Sequence, residues 1–385
     1  MRAVGPGARR DRADPMHAGT WLASVLVAAA GCFNPDPPAG RPCGPDGWCP
    51  SPLTCMANVC GGGGGPDDDA RIDVDTSGPH NRAFVSDPIV VGGKTVSDLD
   101  AHCKTGAPPG NYVAWFSSGT ASASSRLGDK YGWVRTDGKP FANRLTDLVG
   151  GAIYYPLRVD KNGDEVLGQV YVATATLPNG TWTGTACPST GPGPLSAGVA
   201  DGTSGAWTDY EYANLNCASS ARVYCLQVDH ANDIAAPTAT GKIVFITKQA
   251  MMGNMGLAAM DARCTMEAGV PARAIVATPA EPAKAKLPVG VQLVRPDGVV
   301  AFDATLKQLA PINVTIDKQY IDSEAWAGAI ALDAVPGNET CDGWFDPDGT
   351  GLGRTGRSSR SLEEWFGSIQ LHGCSGSYPI RCVTL

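Results

Sequence analysis

Apolar positions recur at helical spacing in two distant parts of the chain. Val96, Leu99, Cys103 and Ala107 form one stripe, and Leu257, Met260, Cys264 and Ala268 form another. Steps of three and four residues put each set on one face of an amphipathic helix, with its cysteine turned inward. Leu145 with Leu148, and Leu306 with Leu309, predict a second and shorter helix after each of these. Elsewhere the pattern alternates and then breaks on Gly, Pro or Asn. The stretch "QVYVATATLPNGTW" reads as strand, turn and strand, with Asn179-Gly180 as a hairpin signal.

The helical stripes sit inside longer segments that match each other. Residues 84–103, "FVSDPIVVGGKTVSDLDAHC", align without a gap on residues 245–264, "FITKQAMMGNMGLAAMDARC". Residues 141–148 face residues 302–309 at the same offset of 161, and "VRTDG" at 134–138 matches "VRPDG" at 294–298. Self-similarity on this scale predicts two copies of one domain. Each copy opens with a strand and the amphipathic helix and continues as irregular β structure. The fold class is therefore α+β.

Cysteine spacing repeats as well. Cys103, Cys187, Cys217 and Cys225 are separated by 84, 30 and 8 positions, and Cys264, Cys341, Cys374 and Cys382 by 77, 33 and 8. The middle gap varies while the closing pair stays fixed, which marks the pair as the end of a duplicated disulfide domain. Four more, Cys43, Cys49, Cys55 and Cys60, crowd a segment too short for a hydrophobic core and read as a small disulfide knot whose three pairings remain open. Residues 61–82, which open with "GGGGGPDDDARIDVDTSGP", are Gly- and Asp-rich and read as a self-repelling tether. An alternative reading of Asp67, Asp68, Asp69, Asp73 and Asp75 as calcium ligands competes with the solvated tether.

A helix-borne first cysteine, a long irregular stretch and a close C-terminal pair together resemble a C-type-lectin-like domain. That resemblance implies pairing of first with last and of the two middle cysteines: Cys103 with Cys225, Cys187 with Cys217, Cys264 with Cys382, and Cys341 with Cys374. More narrowly, "FVS" or "FIT" at the opening, "DAHC" or "DARC" at the helix end, "WVRTDG" and "YCLQ" resemble a bacterial lipoprotein domain of unknown function related to the endostatin-like region of collagens. The implied layout is a first lectin-like domain over 83–230, a linker over 231–240 and a second domain over 241–385.

Thirteen cysteines in 385 residues point to an oxidising compartment, since the spacings suit no C-x-x-C metal clip. An export signal is present in "WLASVLVAAAGC", residues 21–32, an apolar run too short to span a bilayer and ending in small residues. It resembles a bacterial lipobox, with cleavage after residue 31 and acylation of Cys32, the odd cysteine of the thirteen; an ordinary secretory signal is the alternative. Phe33 rather than Asp comes next, which by resemblance to sorting rules implies an outer-membrane lipoprotein, facing the periplasm or the cell surface. The start of translation, at Met1 or Met16, stays open. Residues 32–60 then comprise the lipidated N-terminus and the disulfide knot.

Charge narrows the partners. With charged residues at 18% and a formal net charge of −8, the chain has no electrostatic footprint for nucleic acid or for heparin-like polyanions. The tripeptides that hold calcium and sugar in calcium-dependent lectins of the resembled fold are absent, so no metal and no cofactor is expected. "WTD" at 207–209 and "CDGWFDPDGTG" at 341–351 supply a candidate ligand rim of Trp207, Asp209, Trp344, Asp346 and Asp348, although Asp-Pro-Asp-Gly also makes an ordinary turn. "DKNGDE" at 160–165 reads as a hairpin on Asn162-Gly163, and "GRTGRSSRS" at 353–361 as a mobile, solvated loop carrying Arg354, Arg357 and Arg360. Five scattered histidines and the lack of a nucleophile elbow, phosphate loop or zinc-protease motif point away from catalysis. The expectation is non-catalytic binding of an extracellular glycan or protein, with a self-associating envelope or matrix protein as the alternative and an unrecognised enzyme third.

Overall fold

The computed structural model describes residues 54–56, 59–61 and 79–385, apart from 186, 188–192, 214, 363–364 and 369. The expectations placed on the signal segment, on Cys32, on the pairing of Cys43, Cys49, Cys55 and Cys60, and on the acidic tether lie outside the described residues. The chain divides into two compact units, Met1–Asp68 and Asp69–Leu385. In the first, strands Thr54–Met56 and Val59–Gly61 pair antiparallel, with Cys55 opposite Cys60 in register.

The second unit is α+β, with few helices and small sheets. Its first half contributes strand β1 (Asn81–Val85), helix α1 (Val96–Lys104), strand β2 (Tyr112–Ala114), helix α2 (Ala123–Arg126), strands β3 (Trp133–Arg135) and β4 (Pro140–Ala142), helix α3 (Leu145–Gly150) and strand β5 (Tyr224–Gln227). Its second half contributes strand β6 (Lys242–Ile246), helix α4 (Leu257–Ala268), and strands β7 (Ala272–Ala274), β8 (Leu293–Val294), β9 (Val300–Phe302) and β10 (Arg381–Thr384). The five strands of the first half stand in the order β2-β5-β1-β3-β4, and those of the second in the order β7-β10-β6-β8-β9. In both, the opening strand runs parallel to the first strand of the following hairpin, β3 or β8, and antiparallel to the closing strand.

Alternation along these strands explains why each sheet is buried on both faces. Ala83 and Val85 of β1, with Tyr224 and Leu226 of β5, face one core built around Trp115, Trp133 and Trp207. Phe84 and Cys225 face the other, where Leu99 and Cys103 of α1 pack. The second half repeats this division, with Val244 and Val383 on one side and Phe245, Cys382, Met260 and Cys264 on the other. The helical stripes read from sequence are thus the packed faces of α1 and α4. Thr95 caps α1 in a capping box with Asp98, whose carboxylate accepts from the Thr95 backbone at 2.8 Å.

All four disulfides implied by the resemblance form: Cys103–Cys225, Cys187–Cys217, Cys264–Cys382 and Cys341–Cys374. The outer bridge of each half ties its helix to the closing strand. On the chain-entropy account the long bridges contribute about 5 kcal/mol each and the shorter ones about 3.7.

One short helix is not formed. Leu145 and Leu148 lie on α3, but Leu306 and Leu309 do not lie on a helix. There the Asp303 carboxylate accepts from the backbone of Thr305 at 2.8 Å and of Lys307 at 2.9 Å, closing a turn in which Leu306 takes a positive φ of 67°. Local side-chain bonding of this kind competes with helix formation.

The halves pack directly on each other. Residues 231–240 do not hold them apart: Ile234 is buried against Val134, and the Ala239 amide donates to the Gly298 carbonyl at 3.2 Å. Tyr155 joins Val299, Val300, Leu309 and Ala310 in a shared apolar cluster, and its hydroxyl accepts from the Val300 amide at 3.0 Å. The segment expected to be a solvated loop is part of this seam. Residues Leu352–Arg357 form a strand; Arg354 pairs with Glu339, Arg357 with Glu211, and the fully buried Arg360 with Asp201. The arginines are ordered because each meets a carboxylate, two of them from the other half of the sequence, and sequence spacing carries no trace of that. Among the described residues no helix is long and apolar enough to cross a membrane.

Candidate functional site

A polar-rimmed cleft lies in the first half, at the N-terminal end of α1. The Asn179-Gly180 hairpin builds one wall. Gly180 takes a φ of +81°, Leu177 donates to Thr181 at its neck, and the Asn179 side chain accepts from the Thr181 amide at 3.1 Å. Just past this turn Trp182 bridges Thr176 antiparallel and is half-buried against the core that holds Phe84 and Phe116, with its indole N–H donating to the Thr185 carbonyl at 3.0 Å. Opposite stands the Ser118–Ala121 turn, where Gly119 lies against the ring of Trp182; a methyl group there would stand 3.5 Å from it.

The cavity between these walls has a volume of about 390 Å³. Phe116 and Val91 form its apolar floor beside Cys187, which its bridge to Cys217 holds in place. Hydroxyls rim it: Thr95 and Ser97 from the start of α1, and Ser118 and Thr120 from the turn, with Lys94 as the one charged group of the lining among the described residues. Ser117 is already committed, accepting from the Ala123 amide at 2.8 Å and from the Thr176 hydroxyl at 2.9 Å. The backbone and hydroxyl of Thr95 hold the neighbouring Asp98 carboxyl below the ordinary carboxylate range, so it stays an anion tied to the helix cap. Among the described residues no carboxylate or imidazole lines the cavity. An aromatic ring, several hydroxyls and one ammonium can hold and orient a polar ligand.

The residues expected to form a ligand rim are dispersed. Trp207 is buried against Trp115 at 4.9 Å and Tyr224 at 5.3 Å, and its indole donates to the Leu148 carbonyl at 3.2 Å. Trp344 is equally buried, edge-on to Trp326 at 5.8 Å, and donates to the Ala277 carbonyl at 2.7 Å. Both tryptophans are core pillars whose one polar atom is satisfied internally. Asp346 is also buried and accepts from the Gly351 amide at 2.6 Å, so the Asp-Pro-Asp-Gly segment is the ordinary turn. Asp348 is exposed, and Asp209 is half-buried with its carboxyl pushed up by burial. In this region Phe345, at 66% exposure, is the aromatic that faces solvent.

"DKNGDE" forms the expected hairpin, with the Asp160 carboxylate accepting from the amides of Asn162 and Asp164. Among the described residues no group of three or more His, Cys, Asp or Glu is placed to hold a metal ion. Sequence reading missed Trp182, Phe116 and Lys94. The one signal in the sequence was a tryptophan directly after a hairpin turn.

Compared with protein-family models and with curated proteins, the chain finds no match in either.

Proposed function

We propose that the chain is an exported, lipid-anchored protein, tethered to the outer membrane through Cys32, whose paired C-type-lectin-like halves bind an extracellular glycan without catalysis. The observation that carries the reading is the cleft at Trp182. A partly buried indole beside a rim of hydroxyls matches a neutral sugar, whose C–H face stacks on aromatic carbon while its hydroxyls exchange hydrogen bonds at the edge. Four disulfides support an oxidising compartment, where such bridges persist. Long loops on a stapled scaffold are where recognition concentrates.

The test is a glycan array probed with the purified chain and with Trp182→Ala. A hit that the variant loses, with an unchanged melting temperature, supports the reading. A hit that the variant retains moves the site elsewhere, and an array without hits refutes glycan recognition. Anchoring is tested separately by palmitate labelling, which Cys32→Ser must abolish.

A further inference from the structure

A second cavity, of about 220 Å³, opens on the seam between the halves and is lined by Arg135, Asp137, Lys139, Arg158, Glu165 and, from the second half, Lys307. Four cations meet two carboxylates there. Asp137 pairs with Arg135 at 2.6 Å and Lys139 at 3.4 Å, and Glu165 pairs with Arg158 at 2.8 Å and Lys307 at 3.5 Å. Both carboxylates are therefore shared between two cations, and the lining keeps an excess of two positive charges. Arg158 is 2% exposed and its Nε has no hydrogen-bond partner among the described residues.

The second half shows what a closed version of this place looks like. Arg135 donates its amide to Lys139 and Arg295 donates its amide to Val299, so Val299 stands where Lys139 does. Val159 bridges Glu165 as Val314 bridges Tyr320, and the carbonyls of Val159 and Val314 accept from Val85 and Ile246 at matching points of β1 and β6. Tyr320 thus replaces Glu165, and Asn313 replaces Arg158. The Tyr320 hydroxyl donates to Asp297 at 2.7 Å, its ring lies 5.3 Å from the Arg295 guanidinium, and the Asn313 carbonyl oxygen accepts from Arg295 at 3.0 Å. A neutral phenol, amide and isopropyl group fill the space beside one Arg–Asp pair. In the first half the same frame carries a carboxylate, a guanidinium and an ammonium around an open cavity.

We propose that the cavity at Arg158 is a binding site for a small oxyanion, a carboxylate or phosphate group seated among Lys139, Arg158 and Lys307. Charge-assisted hydrogen bonds from a partly desolvated guanidinium and two ammonium groups are the strong recognition elements for such groups. The cavity volume suits a single small acid rather than a chain, and the site is independent of the cleft at Trp182.

The test is calorimetric titration of the full chain with inorganic phosphate and, separately, with glucuronate, at matched ionic strength. Two variants copy the second half: Lys139→Val removes a cation, and Glu165→Tyr plugs the space with a phenol. Saturable binding below about 10 mM, weakened about tenfold or more by each variant at an unchanged melting temperature, is the expected result. Response to phosphate alone marks a tetrahedral ligand, and response to glucuronate alone marks a carboxylate. Titrations without saturation for both anions, or binding that a folded Glu165→Tyr leaves intact, overturn the proposal. Lys307→Gln, at an exposed side chain, decides the matter if a buried variant fails to fold.

Discussion

Replacing Asp201 by Ala removes the carboxylate at the centre of the seam. Asp201 is 1% exposed and Arg360 fully buried. The carboxylate accepts from Arg360 Nε at 3.1 Å to each oxygen, lies 3.0 Å from Nη2, and accepts from the amides of Ser361 at 3.3 Å and Leu362 at 2.9 Å. Without it the guanidinium stays buried against the face of Tyr210, 4.8 Å away, and has lost its counter-charge. Breaking a buried pair from one side costs about 3–5 kcal/mol, and orphaning a buried amide adds about 1–3 kcal/mol, so we expect a loss of about 4 kcal/mol or more.

Equilibrium urea unfolding with disulfides intact, followed by near-ultraviolet circular dichroism and by tryptophan fluorescence, reads this directly. The two probes should coincide in the parent and separate in the variant, because the seam couples two sheets that each have their own cores. The double variant Asp201→Leu with Arg360→Met removes both charges and should recover most of the loss, since apolar replacement of a buried pair is often neutral. A single-variant loss below about 1 kcal/mol, within the range of ordinary surface changes, would refute the argument. So would a double variant as unstable as the single one.

Gly198→Ala should destabilise by about 3 kcal/mol or more in the same assay, because its methyl group would meet the Trp207 carbonyl oxygen at 1.8 Å and the backbone must move. Burial alone would raise the Asp297 carboxyl, but the Arg295 guanidinium and its hydrogen bonds, with help from Tyr320, hold it below the ordinary carboxylate range. Its folded value lies below its unfolded one, so its contribution is complete above about pH 4 and is lost as pH falls through the folded value. Urea midpoints taken from about pH 6 to about pH 2.5 should therefore fall on the acid side, and Asp297→Asn should flatten part of that fall while lowering the neutral plateau. Replacing both Cys103 and Cys225 by Ala should cost about 5 kcal/mol, more than the roughly 3.7 kcal/mol lost with Cys187 and Cys217, since the longer bridge closes the larger loop; thermal melts of the two double variants check the order.

Much of the fold was legible in local pattern. Steps of three and four residues located α1 and α4, because a helix packed on a sheet must present one apolar stripe. The Asn179-Gly180 and Asn162-Gly163 turns were legible because few residues other than glycine accept a positive φ. Burial was less so. Trp207 and Trp344 sit among polar neighbours in sequence yet fill the cores, whereas Phe345, one residue on, points to solvent. Leu306 and Leu309 had helical spacing, but one aspartate closed a tighter turn first.

What the sequence by itself determined is the repeat, the helix faces, the tight turns and the shared cysteine spacing of the two halves. These depend on neighbours a few positions apart or on direct comparison of like with like. Tertiary structure alone decided that Arg360 meets Asp201, that Trp182 rather than Trp207 faces a cleft, and that Lys307 reaches a cavity built by the other half. Each depends on groups more than a hundred positions apart or on which side of a wall remains uncovered, and local sequence periodicity records neither.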